Sequence, residues 1–185
     1  NFADDGDVIF KSDDGSGGVT EYFRVDGGIT KTVFVRDTKH LDDKKALFGD
    51  QDDLQIYHNG TTNNSNIDNT TGDLYVSQYT DNGDIIFRSD DGSGGLAEYF
   101  RLDGSRASGS YTYTTRPDGG VITFGDTLDL RLWHDPNTNE SYMRSYNNNL
   151  YIESVTADKD ILFRADDGSG GVTEYFRVDG GAVKT

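Results

Sequence analysis

The chain of 185 residues carries 33 acidic and 17 basic residues, giving a formal net charge of −16 at pH 7. Nucleic acids and anionic membranes are bound through clustered Lys and Arg side chains, so the composition argues against both as partners. The absence of cysteine excludes disulfides and thiolate metal sites, and no apolar run approaches the ~20 residues that a membrane-spanning helix needs.

The supply of core-forming side chains is small for a globular monomer. Leu, Ile, Val and Phe together number 41 in 185 residues. Eleven Tyr and ten Phe residues, set in ordered repeats, nevertheless argue against disorder. We therefore expect apolar strips on this chain to be completed by another chain or by a neighbouring repeat.

The chain opens with a segment that recurs twice. DVIFKSDDGSGGVTEYFRVDG starts at Asp7 and returns at Asp84 and Asp160, with 14 of its 21 positions identical in all three copies. Runs of β-branched and aromatic residues at 8–12 and 19–25 flank a Gly-rich turn and predict a β-hairpin. The residues predicted to form this structural turn are Asp13, Asp14, Gly15, Asp90, Asp91, Gly92, Asp166, Asp167 and Gly168.

The Asp-Asp-Gly-Ser-Gly-Gly turn has an alternative interpretation as a calcium loop. Hard cations prefer carboxylate and carbonyl oxygens, which this turn supplies. Its spacing matches neither the EF-hand pattern nor the nonapeptide β-roll pattern, and Asp favours turns for local hydrogen-bonding reasons alone. We predict a structural turn and no metal cofactor.

A second segment alternates with the first. ALFGDQDDLQIYHNG begins at Ala46, and its counterpart VITFGDTLDLRLWHDP spans Val121–Pro136 at a constant offset of 76 residues. Alternating apolar residues predict a strand over 53–58 and a returning strand over 73–76. The Asn-rich stretch between them, 59–71, is expected to be a long polar loop with at most one weak strand.

Two local features of this segment carry separate predictions. Asn59-Gly60 is typical of a hairpin turn, and its replacement by Asp135-Pro136 in the second copy predicts a different turn there. Helix signals are poor throughout, and only residues 42–47 are expected to form a turn of helix.

The two segments give the chain an A–B–A–B–A layout. The predicted modules are 1–45 (A), 46–83 (B), 84–120 (A), 121–159 (B) and 160–185 (a partial third A). Because the chain starts without Met and ends within a module, we expect it to be part of a longer protein.

The B modules carry a resemblance to a known family. The residues concerned are Phe48, Gly49, Asp53, Leu54, Ile56, His58, Asn59 and Gly60, followed by Gly72, Asp73, Leu74, Tyr75 and Val76. With the repeated hairpins, they resemble repeat modules of tail-fibre and other virion appendage proteins of tailed marine bacteriophages, including phages of cyanobacteria. The resemblance spans nearly the whole chain, although Trp133 replaces Tyr57 in the second copy. It implies a fibrous, homotrimeric β-structured shaft or adhesin segment on a virus particle.

Two histidines occupy equivalent positions in the B modules. His58 and His134 would each be brought together in three copies near the axis of a trimer if their face points inward, and three imidazoles can hold a metal ion. The simpler interpretation is a strand-end histidine bonded to backbone or water, and we expect that one.

Contact with an outside partner is expected in the Asn-rich segments. They are polar, long and different between the two copies, which is where adaptable recognition is usually found. Trp133 joins the candidates because, with Tyr142, Tyr146 and Tyr151, it could form a platform for sugar rings, the alternative being packing within the module. The predicted contact residues are Asn63, Asn64, Asn66, Asn137, Asn139 and Trp133.

No catalytic function is expected from the sequence. The carboxylates lie mainly in repeated turns, and a repeat copies them without creating an acid–base pair of contrasting environments. No G-x-S-x-G, H-E-x-x-H or P-loop motif is present. A glycan-degrading phage tailspike and a bacterial extracellular adhesin or filament remain the alternatives.

The sequence and the resemblance together predict an all-β, elongated protein of alternating hairpin modules that forms an intertwined homotrimeric fibre, with a monomeric solenoid as the alternative. Its expected role is structural, as a tail-fibre-like appendage on the virion. The expected partners are copies of itself, other virion proteins and a host-surface glycan or protein. Attachment would be multivalent and non-catalytic.

Overall fold

The computed structural model describes residues 1–182, which form β-strands joined by turns. It confirms the predicted all-β class, because five small antiparallel sheets follow one another along the chain. The last three residues of the predicted third A module, 183–185, lie outside the described residues. Within the described part of the chain, no helix is long and apolar enough to cross a membrane.

The first compact unit, Asn1–Val76, contains two three-stranded sheets. Its strands are β1 (Val8–Asp13), β2 (Val19–Asp26), β3 (Lys31–Phe34), β4 (Ala46–Phe48), β5 (Leu54–Asn59) and β6 (Asn64–Asn69). Strands β1–β2–β3 form what we call the first A sheet, and β4–β5–β6 form the first B sheet.

The second unit, which begins at Ser77, contains three sheets. Its strands are β7 (Ile85–Asp90), β8 (Leu96–Ser108), β9 (Tyr111–Thr115), β10 (Ile122–Phe124), β11 (Leu130–Asp135), β12 (Glu140–Ser145), β13 (Ile161–Asp166) and β14 (Val172–Val178). They form the second A sheet (β7–β8–β9), the second B sheet (β10–β11–β12) and the third A sheet (β13–β14).

The predicted hairpin of the A modules is present in all three copies. Each hairpin has a bulge directly after the phenylalanine of its first strand, which shifts the register. That phenylalanine stacks on its cross-strand partner, with ring centroids 4.3, 4.5 and 4.2 Å apart. The stacked pairs are Phe10 with Phe23, Phe87 with Phe100, and Phe163 with Phe176. Cross-strand aromatic pairs of this kind stabilise a two-stranded ribbon.

A third strand, which the sequence did not predict, extends the first two A sheets. In the first copy, Asp26 ends β2, and its carboxylate accepts the backbone N–H groups of Gly28 and Ile29. This capped turn returns the chain so that Phe34 pairs with Phe23, with ring centroids 5.8 Å apart. The hydrogen bonds from the carboxylate therefore fix a turn that the apolar pattern alone does not reveal.

The predicted course of the B modules is wrong in its returning strand. Residues 73–76 form no strand, and Tyr75 is 81% exposed. The strand that pairs with β5 is β6, which lies within the segment expected to be a long polar loop with one weak strand at most. Its central residue, Ile67, pairs with Ile56, and the other residues of β6 are polar. Polar residues are tolerated here because the sheet is exposed, so pairing requires backbone hydrogen bonds more than burial.

The predicted turn of helix at residues 42–47 is also wrong. Asp43 has a left-handed backbone conformation with φ 63°. The N–H of Lys44 donates to the carbonyl of Leu41 at 3.0 Å, which closes a turn, and strand β4 begins at Ala46. The left-handed φ at Asp43 prevents continuation into a right-handed helix.

The turns of the two B modules are alike, although the sequence predicted that they differ. In both, the residue before the last strand of the sheet has a left-handed conformation: Asn63, before β6, with φ 59°, and Asn139, before β12, with φ 56°. The N–H of this asparagine donates to the carbonyl of the residue that ends the middle strand, Asn59 in β5 and Asp135 in β11, at 2.8 Å in both copies. Pro136 fits because the residue it replaces, Gly60, has no left-handed backbone conformation in the first copy.

A paired substitution explains how the same turn is kept. The N–H of Gly60 donates to Asp43 Oδ1 at 3.1 Å in the first B module. In the second, Pro136 has no N–H, and Gly119 stands in place of Asp43 and has no carboxylate. Asp43 and Gly119 both have a left-handed φ, and both donate their N–H to the carbonyl of the nearby strand-end histidine. Donor and acceptor are thus lost together.

Exchanging this pair in the first module, as Asp43→Gly with Gly60→Pro, is expected to lower the free energy of unfolding by about 1 kcal/mol, because a Cβ at position 60 would lie 2.9 Å from Asp42 Cβ. Gly60→Pro alone should be less stable than the double variant by roughly 1 kcal/mol, because it keeps the left-handed aspartate and removes the N–H that its carboxylate accepts. Urea unfolding of the three proteins measures this. Equal stability of the single and double variants would contradict the coupling.

No hydrophobic residue among residues 1–182 is buried, and the only buried residue there is Asp103, at 6% exposure. Within each unit, strands contact only strands of their own sheet. The accessible surface is 15271 Å² for a chain of 20.4 kDa, whereas a folded globular monomer of that mass exposes roughly 8,800 Å². Most of residues 1–182 are therefore exposed, and they form no buried hydrophobic core within one chain.

Candidate functional site

The second B sheet has two chemically distinct faces. Side chains alternate between the faces of a strand, and residues directly opposite in an antiparallel pair share a face. On one face lie the apolar side chains of Ile122, Phe124, Leu130, Leu132 and Met143. The other face carries an aromatic–cationic cluster, which we define as Arg131, Trp133, Tyr142, Arg144 and the adjoining Tyr146.

Aromatic and guanidinium groups contact one another throughout this aromatic–cationic cluster. The rings of Trp133 and Tyr142 stack with centroids 4.6 Å apart and planes inclined by 18°. The guanidinium carbon of Arg144 lies 5.1 Å from the Trp133 centroid, 5.2 Å from that of Tyr142 and 5.9 Å from that of Tyr146. Arg131 lies 4.2 Å from the Tyr146 centroid. Each of these distances is in the range of a cation–π contact.

The two arginines of this cluster have no ion-pair partner within residues 1–182. Arg131 donates to the carbonyl of Leu128 at 3.2 Å, and Arg144 is 3.5 Å from the hydroxyl of Tyr146. The A modules differ, since their repeated arginine pairs with two or three carboxylates in every copy. Arg36, Arg88, Arg116 and Arg164 likewise make no ion pair within residues 1–182. What distinguishes Arg131 and Arg144 is that they lie opposite each other and over aromatic rings.

The first B sheet lacks this cluster at the equivalent positions. Gln55 stands in place of Arg131, Tyr57 in place of Trp133, and Asn66 in place of Tyr142. Asp68, in place of Arg144, accepts a hydrogen bond from the Tyr57 hydroxyl at 3.0 Å. That bond, with desolvation, raises the pKa of Tyr57 above its ordinary value. The two sheets share a backbone and differ in the chemistry of one face.

The predicted contact residues Asn63 and Asn139 lie in the turns, with their side chains bonded to histidines. Asn63 Oδ1 is 3.2 Å from His58 Nε2, and the Ser65 hydroxyl is 3.1 Å from His58 Nδ1. His134 makes the same two contacts, with Asn139 at 3.2 Å and a serine at 3.1 Å. Both ring nitrogens are thus engaged within the turn, a geometry that holds the left-handed asparagine in place.

The remaining asparagine candidates lie on the hairpins. Asn64 begins β6 opposite Asn59, and Asn66 is paired with Tyr57. Asn137 donates its N–H to Asp135 Oδ1 at 2.9 Å in the second turn. Within the described part of the chain, no three His, Asp or Glu side chains form a group that could hold a metal ion.

The Asp-Asp-Gly-Ser-Gly-Gly turns are closed by their own second aspartate. Asp14 Oδ1 accepts the hydroxyl and N–H of Ser16, each at 2.8 Å, and the N–H of Gly18 at 3.0 Å. Asp91 and Asp167 make the same bonds in their copies. These hydrogen bonds, led by the serine hydroxyl, hold the pKa of each carboxyl below its ordinary value. The bonds supply a structural reason for the aspartate in every copy.

The lowered pKa of these three aspartates predicts acid sensitivity. A carboxyl with a lower pKa when folded contributes stability that is full above its unfolded pKa, about 3.9, and is lost as pH falls through the folded value. The triple variant Asp14→Asn, Asp91→Asn, Asp167→Asn keeps an acceptor oxygen and cannot titrate. We expect its unfolding free energy to fall less steeply below about pH 4 than that of the unmodified protein.

The control for this experiment removes the same charge elsewhere. Asp81, Asp118 and Asp126 accept no side-chain hydrogen bond within residues 1–182. Their triple replacement by Asn should leave the steep acid dependence intact. Urea unfolding at intervals from neutral pH to pH 3 provides the measurement. Identical pH profiles for the two triple variants would contradict the role assigned to the turns.

The sequence prediction missed the two arginines of the cluster. The available signal was the constant offset between the B modules, because Gln55 and Asp68 are both replaced by arginine at that offset. The predicted Trp133 lies in the cluster with Tyr142 and Tyr146, whereas Tyr151 is exposed outside the strands. Comparison with protein-family models, with curated proteins and with solved structures finds no match for this chain.

Proposed function

We propose that the chain is a structural segment of a virion appendage, like a tail fibre, which assembles with two copies of itself and contributes to host-surface attachment. The observation that carries this proposal is the lack of any buried hydrophobic residue in the described chain, although its strands are regular and repeated. Such sheets need a second surface to complete their cores.

Self-association follows from the distribution of apolar side chains. The first B sheet repeats the apolar face of the second, with Phe48, Leu54, Ile56 and Ile67 on one side, and Ile67 is 63% exposed. The accessible surface exceeds that of a globular monomer by about 6,500 Å², more than a standard protein interface buries. Three chains around an axis bring equivalent apolar faces together and protect strand edges.

The role in attachment is supported by the repeat architecture and by the resemblance to phage appendage modules. Repeated, non-catalytic units build length and place several identical surfaces on one particle. Weak contacts multiplied by symmetry then give avidity. The proposed partners are the other virion proteins and a host-surface glycan or protein.

Mass measurement in solution, followed by electron microscopy of the purified protein, tests the proposal. We expect a particle of three 20.4-kDa chains with a fibre-like outline, and specific adsorption to host cells. A stable 20.4-kDa monomer would exclude the homotrimer. Release of oligosaccharides from a host polysaccharide would favour the tailspike alternative.

A further inference from the structure

We propose that the aromatic–cationic cluster of the second B sheet binds a carboxylate-bearing saccharide, such as a uronate residue of an acidic surface polysaccharide. This inference rests on the proposed attachment function and names the chemical class of the ligand. It depends on four features of the sheet: the stacked rings, the unpaired arginines, the separation of the two faces and the contrast with the first B sheet.

The cluster supplies both surfaces that an acidic sugar needs. Trp133 and Tyr142 form a stacked pair on two neighbouring strands, and the adjoining Tyr146 is 47% exposed. Aromatic groups of this kind offer an apolar surface to a sugar ring while leaving polar atoms at their edges. Tyr142 donates its hydroxyl to Glu140 at the turn end of the same face.

The arginines supply the charge recognition. A guanidinium that lies over an aromatic ring has N–H groups at its edge, and those that do not already donate within the sheet can bind a carboxylate through two parallel hydrogen bonds. Arg131 and Arg144 are opposite each other on β11 and β12 and make no ion pair within the described residues. Two guanidinium groups side by side can therefore donate hydrogen bonds to one carboxylate and neutralise its charge.

The overall charge selects a short ligand that carries few charges. A net charge of −16 repels a dense polyanion, so a nucleic acid would be held away although the cluster itself is cationic. A short oligouronate carries only a few carboxylates in total, so its long-range repulsion by the chain is small, and it adds ring surface for the aromatics. An acidic peptide shares the carboxylate but offers no ring, and it serves as a competing ligand in the experiment below.

The two faces of the sheet allow assembly and binding at once. Leu130, Leu132 and Met143 lie on the face proposed for self-association, whereas Arg131 and Trp133 lie on the opposite face. Trimer formation through the apolar face leaves the aromatic–cationic cluster available. Each trimer would then carry three equivalent sites.

The test measures binding of short oligogalacturonates to the whole assembled protein by calorimetry. The matched ligand control is the same oligosaccharide with its carboxylates methyl-esterified, and a Glu-rich peptide tests the peptide alternative. We expect binding of the free acid, weakened by salt, with affinity for the ester lower by at least about tenfold. Equal affinity for acid and ester, or binding of the peptide alone, would overturn the inference.

The chain provides its own control variants. Arg131→Gln with Arg144→Asp introduces the residues of the first B sheet and is expected to abolish oligogalacturonate binding. The reverse exchange, Gln55→Arg, Tyr57→Trp, Asn66→Tyr, Asp68→Arg and Thr70→Tyr, is expected to double the number of sites per chain. Unchanged binding in the first variant would contradict the assignment of the site.

Measuring the oligomeric mass together with ligand binding distinguishes a failure of this inference from a failure of the proposed function. The Arg131→Gln, Arg144→Asp variant should keep the oligomeric mass of the unmodified protein, because both positions lie off the apolar face. A trimer that adsorbs to host cells and binds no oligogalacturonate would overturn the ligand assignment and leave the proposed function standing. A monomeric protein would instead overturn the homotrimer while binding remains measurable.

Discussion

Replacement of Leu132 by aspartate is expected to abolish self-association and thereby to lower the thermal stability of the protein. Leu132 pairs with Ile122 on one side and Met143 on the other, at the centre of the apolar face. In one chain alone this face is only half covered, so a charge there would be tolerated. In the proposed trimer, three aspartates would be buried together, at a cost of several kcal/mol per charge.

The expected readouts for Leu132→Asp are mass and thermal stability. Mass in solution should fall to that of the 20.4-kDa chain, and the thermal midpoint should drop by roughly 10 °C or more. The matched control is Thr123→Asp, which adds the same charge on the opposite face, where Thr123 pairs with Arg131. That variant should keep the trimer mass and change stability by no more than about 0.5 kcal/mol.

A milder substitution keeps the test informative if the aspartate variant does not fold at all. Leu132→Ala removes apolar area without adding charge, and it should lower affinity between chains so that dissociation on dilution becomes measurable. Trimers of unchanged mass and stability in both Leu132 variants would show that this apolar face is not the contact between chains.

The A-module hairpins were predictable because their local signals agree. Aromatic and β-branched runs flank a turn whose aspartate accepts hydrogen bonds from residues two and four positions later. Such bonds form within a short segment, so the sequence determines them without information on distant contacts. The predicted ends of these two strands, at Ser12 and Val25, are one residue short of the observed ends.

The course of the B modules was not predictable from propensity. Strand β6 contains one apolar residue, Ile67, among asparagines and polar neighbours, and such a composition favours a loop. Its strand conformation depends on pairing with β5, which follows from the left-handed turn at Asn63. Leu74 and Val76 misled the prediction because, where residues 1–182 bury no hydrophobic side chain, apolar residues need not belong to a strand.

The candidate site was predicted only in part for a related reason. Trp133 and its tyrosines stood out by residue type, but whether they lie together depends on which strands are neighbours. The register that places Trp133 opposite Tyr142 also places Arg131 opposite Arg144. Without the position of β12, the arginines are two of many surface charges, and their lack of carboxylate partners cannot be read from order along the chain.

Replacement of Gly27 by alanine is expected to cost about 1–3 kcal/mol of unfolding free energy, because the new methyl group meets backbone. A Cβ at Gly27 would lie 2.5 Å from the carbonyl oxygen of Gly6 and 3.1 Å from its nitrogen. The contact closes the base of the hairpin, where the Gly27 N–H donates to Asp7 Oδ1 at 3.0 Å. The three atoms nearest to this Cβ are all backbone atoms, so no flexible side chain can move aside to accommodate it.

The next residue along the chain provides the control. A Cβ at Gly28 would have its nearest neighbours at 3.6 and 4.0 Å, which is ordinary contact. Gly28→Ala should therefore be neutral, and the second A module already has Ser105 at that position. Urea unfolding of the two variants at the same protein concentration compares them directly. Equal stability of the two variants would contradict the close approach at Gly27. A loss of stability in Gly27→Ala alone would show that this glycine is needed to close the first A hairpin. Gly104 and Gly180 face the same backbone contact in the other two copies, so the same requirement is expected there.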